Sequence, residues 1–299
     1  MRARSEGLHA SDVDDALNCR EVVTTWVNRG TLHLIRSEDY PWLHALTTPQ
    51  LATSCTTRLR QEGVSAEQAE RGVSVVAREL SDGPRTRPQL KTTLDSAGVP
   101  TKRQALVHVL FLATLRGVCV RGPVIGKEQA FVLVKDWLPP APMVDRERAL
   151  GELARRYLAG HGPSTDRDLM RWAGITVGAA RKGLSQLQLV GDDLFDLPGR
   201  DAAPLPPLPP PRLLGPWDEL LMGWQSREPV LGAQTGVVTM NGIVKPIALV
   251  RGKAVATWTL PGGEVVLQPF DSLSSTVTKA LARDAADVHR FLRADSIPR

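Results

Sequence analysis

The sequence predicts an α+β fold of tandem winged-helix units followed by a small antiparallel β-rich C-terminal domain. Three observations predict it. Three helical periods followed by two strand-like runs occur twice in full. A proline run at 204–211 divides the chain, because proline lacks a donor and fixes φ. Beyond it, short β-branched runs alternate with glycine-bearing turns.

In chain order, a short helix is expected over 11–17, with Ser11 as its cap and Asp14 in the capping-box position. Two β-branched and aromatic runs, 22–27 and 31–35, are joined by Asn28-Arg29-Gly30 and read as a hairpin. A helix from Ser37 passes Tyr40, Trp42 and Leu46, with Pro41 tolerated in its first turn. Helical periods then cover 65–80, 88–97 and 101–115. Strands at 118–120 and 131–134 enclose the loop 121–127, a long hairpin with a basic tip.

The third cycle has helices at 145–158, 165–172 and 176–187, then a turn at Gly191-Asp192-Asp193 between short strands. After the stiff spacer come strands at 237–240, 243–250, 254–260 and 264–267, a meander able to curl into a barrel, and a helix over 274–292. The expected organisation is therefore an incomplete first winged-helix unit with its hairpin (1–64), a second unit (65–142), a third (143–203), a Pro-rich linker (204–216) and a β-rich domain with a terminal helix (217–299). The first unit is expected to be incomplete because three helices need roughly 40–60 residues. The hairpin begins at Val22, so the unit is short or starts upstream of Met1.

With 299 residues, 42% of them apolar, and a mean hydropathy of -0.14, the chain can bury a core in two to four small domains. Neither a long uncharged apolar run nor a signal-peptide start is present, so a cytoplasmic location is expected. Cys19, Cys55 and Cys119 are odd in number and widely spaced, which fits reduced thiols. HExxH, CxxC, GxSxG and Walker patterns do not occur, so no metal or cofactor is expected.

The net charge of +5 and pI of about 9.4 are a mild bias toward polyanions. Between 83 and 135 there are nine basic residues against two acidic ones. Winged helices present charge at the start of the third helix and at the wing tip. That places Lys102 and Arg103 at one recognition helix, Arg181 and Lys182 on another, Arg121 and Lys127 at a wing, and Arg29 at the first hairpin tip. These seven are the candidate DNA contacts, with double-stranded DNA, damaged or intact, as the partner. No membrane partner is expected, and the absence of a heptad points to a monomer.

The stretch 23–35, VTTWVNRGTLHLI, resembles a signature of the winged-helix family that includes the AlkZ and YcaQ DNA glycosylases. Supporting likenesses are the segment from Gly162-Pro163-Ser164-Thr165 to Leu187, the segment 216–224 (PWDELLMGW), and 252–258 (GKAVATW). The resemblance implies tandem winged helices, a C-terminal β-domain, and excision of alkylated or crosslinked bases. It also implies a catalytic Gln-x-Asp or Gln-x-Gln ahead of the hairpin signature, for which residues 1–21 offer no glutamine. The Gln-x-Gln that does occur, at 186–188, ends a helix.

Glycosidic cleavage needs a polar group that orients water and stabilises charge on the sugar. Glu38, Asp39, Asp218 and Glu219 are carboxylates near the family-like motifs, with Glu38 most simply closing a helix N-terminus. His33 alternates with apolar residues and reads as packing, as do Trp26, Trp42, Trp217, Trp224 and Trp258. No catalytic residue is assigned. The expected function is a DNA-binding protein related to glycosylases whose catalytic segment is absent from this chain. The alternative is a non-enzymatic winged-helix regulator, which would dimerise on operator half-sites.

Overall fold

The computed structural model describes every residue except 141–143, 186, 190–192, 201–206, 241 and 294–299. It contains two compact bodies. One, mostly helical, comprises Val13–Arg156 and Ala173–Leu187; the second, of mixed helix and strand, comprises Met1–Asp12, Tyr157–Trp172 and Gln188–Arg299.

The first helix, α1 (Ala10–Asn18), starts one residue ahead of the expected cap Ser11. Asp12, not Ser11, accepts the leading hydrogen bond, from the His9 N–H at 2.7 Å. The hairpin β1 (Val22–Val27) and β2 (Thr31–Arg36) forms as expected, with Trp26 opposite Leu32. A 3-10 turn, Ser37–Asp39, precedes α2 (Tyr40–Thr47), leaving Pro41 in the first turn where it removes no helical bond. A helix absent from the sequence expectation follows, α3 (Leu51–Gln61). Its buried positions, Cys55 and Leu59, make a stripe too thin to stand out among Thr, Ser and Arg.

The next helix, α4 (Ala66–Ser81), opens on a complete capping box: Ser65 Oγ accepts the Gln68 N–H at 3.1 Å, and Gln68 Oε1 accepts the Ser65 N–H at 2.9 Å. Helix α5 (Arg87–Ser96) and helix α6 (Ala105–Leu115) complete a layer, in which α6 is apolar nearly all round and correspondingly enclosed. Strands β3 (Cys119–Ile125) and β4 (Glu128–Leu133) and the short helix α7 (Val134–Trp137) follow.

The two hairpins share one sheet. β1 pairs antiparallel with β3 through Thr24 and Arg121, so the strand order is β2-β1-β3-β4. One face of this sheet, with Trp26 and Phe131, closes on Leu59, Val76, Leu90, Leu94 and Leu110. The opposite face carries Val23, Val120 and Val132 against Tyr40 and Leu138. Leu90, Leu94 and Leu110 are essentially unexposed, each burial contributing about 1.5–3 kcal/mol.

Two site expectations are corrected here. Lys102 and Arg103 do not start α6; they form the turn ahead of it, where Arg103 has φ of 54° and cannot be helical. Arg121 is not in the wing loop. The strands extend to Ile125 and Glu128, so that loop shrinks to Gly126 and Lys127.

Helices α8 (Arg146–His161), α9 (Asp166–Ala173) and α10 (Val177–Leu184) precede a two-stranded sheet of β5 (Gln188–Leu189) and β6 (Phe195–Asp196). Gly183 of α10 lies so close to α8 that an added Cβ would stand 2.5 Å from the Leu150 carbonyl oxygen. Gln186 of the Gln-x-Gln, and Gly191 and Asp192 of the expected turn, fall outside the described residues.

In the second body, a strand unforeseen in the sequence, β7 (Arg212–Leu214), begins at the first residue past the prolines, where N–H donors return. Pro204 to Pro206 of the spacer fall outside the described residues. Short helices α11 (Glu219–Met222) and α12 (Glu228–Leu231) lead to β8 (Ile247–Val250), β9 (Lys253–Thr259) and β10 (Val266–Pro269), ordered β10-β9-β8-β7. The expected strand at 237–240 and the first half of 243–250 reduce to one bridge, Val238 to Val244, because Pro246 cannot donate to a ladder. Asn241 is outside the described residues. The last helix, α13 (Ser275–Leu292), lies where it was expected; Ser274 caps it, and it packs Leu281 and Val288 on Leu213, Ala256 and Trp258.

A buried charge cluster ties α13 to the chain start. Asp284, 4% exposed, accepts from both Arg2 terminal nitrogens at 3.1 and 2.8 Å, from Arg212 at 2.9 Å and from the Leu213 N–H at 2.7 Å. Burial alone would raise this carboxyl pKa, but those donors outweigh it and hold it below the ordinary value.

Candidate nucleic-acid interface

All seven predicted cationic contacts belong to the helical body. Lys127 stands exposed in the two-residue turn of the β3–β4 hairpin. Lys102 and Arg103 are exposed in the turn before α6, with Arg103 Nε 3.5 Å from Glu62. Arg181 and Lys182 are exposed on α10, and Lys182 reaches Glu147 at 3.1 Å. Pairs this exposed contribute little to stability, so both cations can exchange partners at small cost.

Arg29 sits differently from its expectation. The turn it occupies packs inward: an added Cβ on Gly30 would meet Phe111 at 3.2 Å, and one on Gly174 would meet the Asn28 carbonyl oxygen at 2.8 Å. Gln50 Nε2 donates to the Gly174 carbonyl at 2.7 Å and closes the same corner. Arg29 is half-buried there, and the hairpin tip does not project as a free wing.

Arg121 has the most unusual surroundings. Its guanidinium lies 5.3 Å from the ring centres of both Trp26 and Phe131, which stack at 6.3 Å and 23°. Burial, then the nearby charge of Arg87, pull its pKa below the ordinary arginine value. Its Nε is buried and has no hydrogen-bond partner.

The carboxylates considered for chemistry have structural partners. Asp39 is buried, accepts from Trp42 Nε1 at 3.0 Å and pairs with Arg156. Glu38 pairs on the surface with Arg36 at 3.1 Å. Asp218 caps α11 by accepting the Leu220 N–H and binds Arg4 through both oxygens, at 2.6 and 2.7 Å. Glu219 accepts from Trp172 Nε1 at 2.8 Å. His33 is half-buried and hydrogen-bonds the Thr31 hydroxyl at 2.8 Å.

Trp26, Trp42 and Trp258 are buried, whereas Trp217 is 51% exposed, contrary to its expected place in the core. Its backbone has φ of 50°, and Nε1 donates to the Gly242 carbonyl at 3.2 Å across the loop surface. Beside Trp42 an open cleft of about 1110 Å³ is lined by Asp145, Glu147, Arg148, Glu152, Arg155 and Leu187. Its charges are internally balanced: hydrogen bonds from Arg155, and then from Arg156, hold the Glu152 carboxyl down at about 2. Among the described residues no cluster of His, Cys, Asp and Glu could hold a metal ion, and no helix is long and apolar enough to cross a membrane.

The family model described as "DNA glycosylase AlkZ-like" matches residues 1–291. The chain belongs to the AlkZ-like DNA glycosylase family. A curated relative, the interstrand DNA cross-link repair glycosylase of Streptomyces sahachiroi, is 29% identical over 305 residues, covering 93% of this chain and 81% of the relative. The solved structure of Streptomyces sahachiroi DNA glycosylase AlkZ superposes with a TM-score of 0.75 at 26% identity, covering 94% of this chain and 82% of that one.

In this AlkZ-like chain the signature stretch 23–35 forms β1, its turn and most of β2. The segment 216–224 forms the Asp218-capped α11 and its flanks. There Trp224 Nε1 donates to Ser164 Oγ at 3.0 Å, and Tyr157 donates its hydroxyl to the Gly223 carbonyl at 2.8 Å. His161 packs among Tyr157, Trp172 and Trp224, and burial lowers its pKa. Sequence reading missed this aromatic box and the Arg121 contact with the Trp26 and Phe131 rings. Both depend on contacts between segments far apart in the chain, although Arg121 stood within the basic window.

Proposed function

We propose that this AlkZ-like protein binds duplex DNA through winged-helix units, with damaged or crosslinked duplex as its target. The observation that carries the reading is the family match over residues 1–291, joined by exposed cations in the helical body. Element order supports it. Helices α4, α5 and α6 followed by β3 and β4, with Arg85 bridging to Phe131, follow the winged-helix sequence of elements within 65–142. The order α8, α9, α10, β5, β6 repeats it within 143–203, where Ser164 bridges to Phe195. Lys102, Arg103, Lys127, Arg181 and Lys182 would contact phosphates, which position the protein without reading sequence.

The relative is named for interstrand cross-link repair, which makes crosslinked duplex the substrate to try first. The test is fluorescence anisotropy on intact, alkylated and crosslinked duplexes at two salt concentrations, with released base measured alongside. The expected result is affinity that falls steeply with salt, little dependence on sequence, and preference for the crosslinked duplex. Absent or salt-independent binding would overturn the reading. Strong preference for one intact sequence would replace it with a regulator.

A further inference from the structure

We propose that Arg121 forms a fixed phosphate-oxygen site beside the irregular part of β3, taking a backbone phosphate of duplex DNA. The proposal rests on the DNA-binding reading above and gives it a specific anchor.

The strand is shaped to aim this side chain. The β3–β4 register slips between Arg121 and Val124, a bulge that redirects side chains and twists the strand. Gly122 sits in the slip with no room for a Cβ, which would stand 2.6 Å from Val132, and Gln129 Nε2 donates to the Gly122 carbonyl at 3.2 Å. The guanidinium is then held 5.3 Å from each of two stacked rings. Trp26 and Phe131 are buried, which leaves no room for a base to stack on them. Arg121 itself keeps part of its surface open. An arginine held in this way has already lost its rotamer freedom and loses less on binding.

Its charge balance lacks an anion. Burial and the charge of Arg87 both work against the protonated form, and no carboxylate enters the balance. Arg87 is exposed at the start of α5. A partly desolvated cation beside a second cation is unfavourable in the isolated protein. A phosphate matches the terminal nitrogens of the arginine fork and offsets the repulsion. Lys127, exposed at the hairpin tip, extends the positive potential along the same strands.

The test compares the full chain with Arg121→Met and Arg87→Gln. In duplex anisotropy between low and moderate salt, R121M is expected to lose about tenfold or more in affinity. Each variant should show a slope of log affinity against log salt shallower by about 1. In phosphate-free buffer, R121M should melt no lower than the parent, because a poorly solvated charge has been removed.

Added inorganic phosphate separates the sources. A melting rise in the parent but not in R121M means that free phosphate also occupies the site. No rise, with the duplex result intact, means that the site takes phosphate only within DNA. Parent-like affinity and slope in both variants would overturn the proposal, as would a marked melting loss in R121M, which would make Arg121 a structural brace. If the parent binds no duplex, the DNA reading falls. The phosphate site then survives only if phosphate stabilises the parent and not R121M.

Discussion

Replacing Asp284 with Asn tests the physical account of the second body most directly. Asp284 is nearly unexposed and accepts four hydrogen bonds, three of them from two arginines. An amide keeps the shape but removes the charge, and its NH2 group must face a donor. Arg2, 8% exposed, would then keep only Asp287 at 2.7 Å and the Leu213 carbonyl at 2.6 Å. Breaking one partner of a buried pair costs about 3–5 kcal/mol, and the retained contacts place this case near 3. At about 2–4 °C per kcal/mol, the melting point should fall by roughly 6–12 °C.

The control is Arg4→Ala. Arg4 pairs with Asp218 at similar distances but is 51% exposed, so its loss should cost about 1 kcal/mol or less. Calorimetry at pH 7, with near-UV circular dichroism as a second probe, measures both variants. Equal melting of D284N and the parent, or an equal loss in both variants, would refute the claim that burial sets the magnitude. Because Asp284 titrates below its ordinary value, its contribution is present above about pH 4, the unfolded carboxylate pKa, and is lost as pH falls through the folded value.

Other consequences can be measured as simply. Gly122→Ala should cost about 1–3 kcal/mol by forcing a methyl into Val132, and Val132→Ala should be less costly in that background than in the parent, as a double-mutant cycle in urea will read. Burial lowers the pKa values of His44, His108 and His161, so the unfolded chain binds protons first. Stability should therefore be full above pH 6.5 and decline as pH drops below it, visible as a falling melting point from pH 7.5 to 5.5; a flat profile would contradict the assignment. Burial pushes the Cys55 thiol up to about 11 and the Cys119 thiol up to about 12, while Cys19 is exposed. A thiol reagent at pH 8 should modify one cysteine in the native protein and all three after unfolding.

What could be read from the residues was local. The hairpin around Asn28-Arg29-Gly30 and the helical periods that open at Ser65, Thr176 and Ser274 all appear close to where the pattern put them. Each is decided within a few residues, by dihedral preference, a capping hydroxyl or a repeating apolar face. The misreadings were local as well as long-range: α3 was hidden by its narrow apolar stripe, and the strand expected before Pro246 was lost to the missing donor.

The candidate site was legible as composition and not as geometry. The basic residues between 83 and 135 marked the region, yet nothing in the pattern placed Arg121 against Trp26, folded the Arg29 turn inward or put Arg2 against Asp284. Arg121 meets Trp26 because β1 pairs with β3, which brings together strands separated by five helices. Strand partners and buried ion pairs depend on which distant segments close on one another, an outcome selected by the packing of the whole body. Periodicity and capping chemistry alone determined which segments of this chain would be helix or hairpin. Tertiary packing decided which cations would be left without an anion.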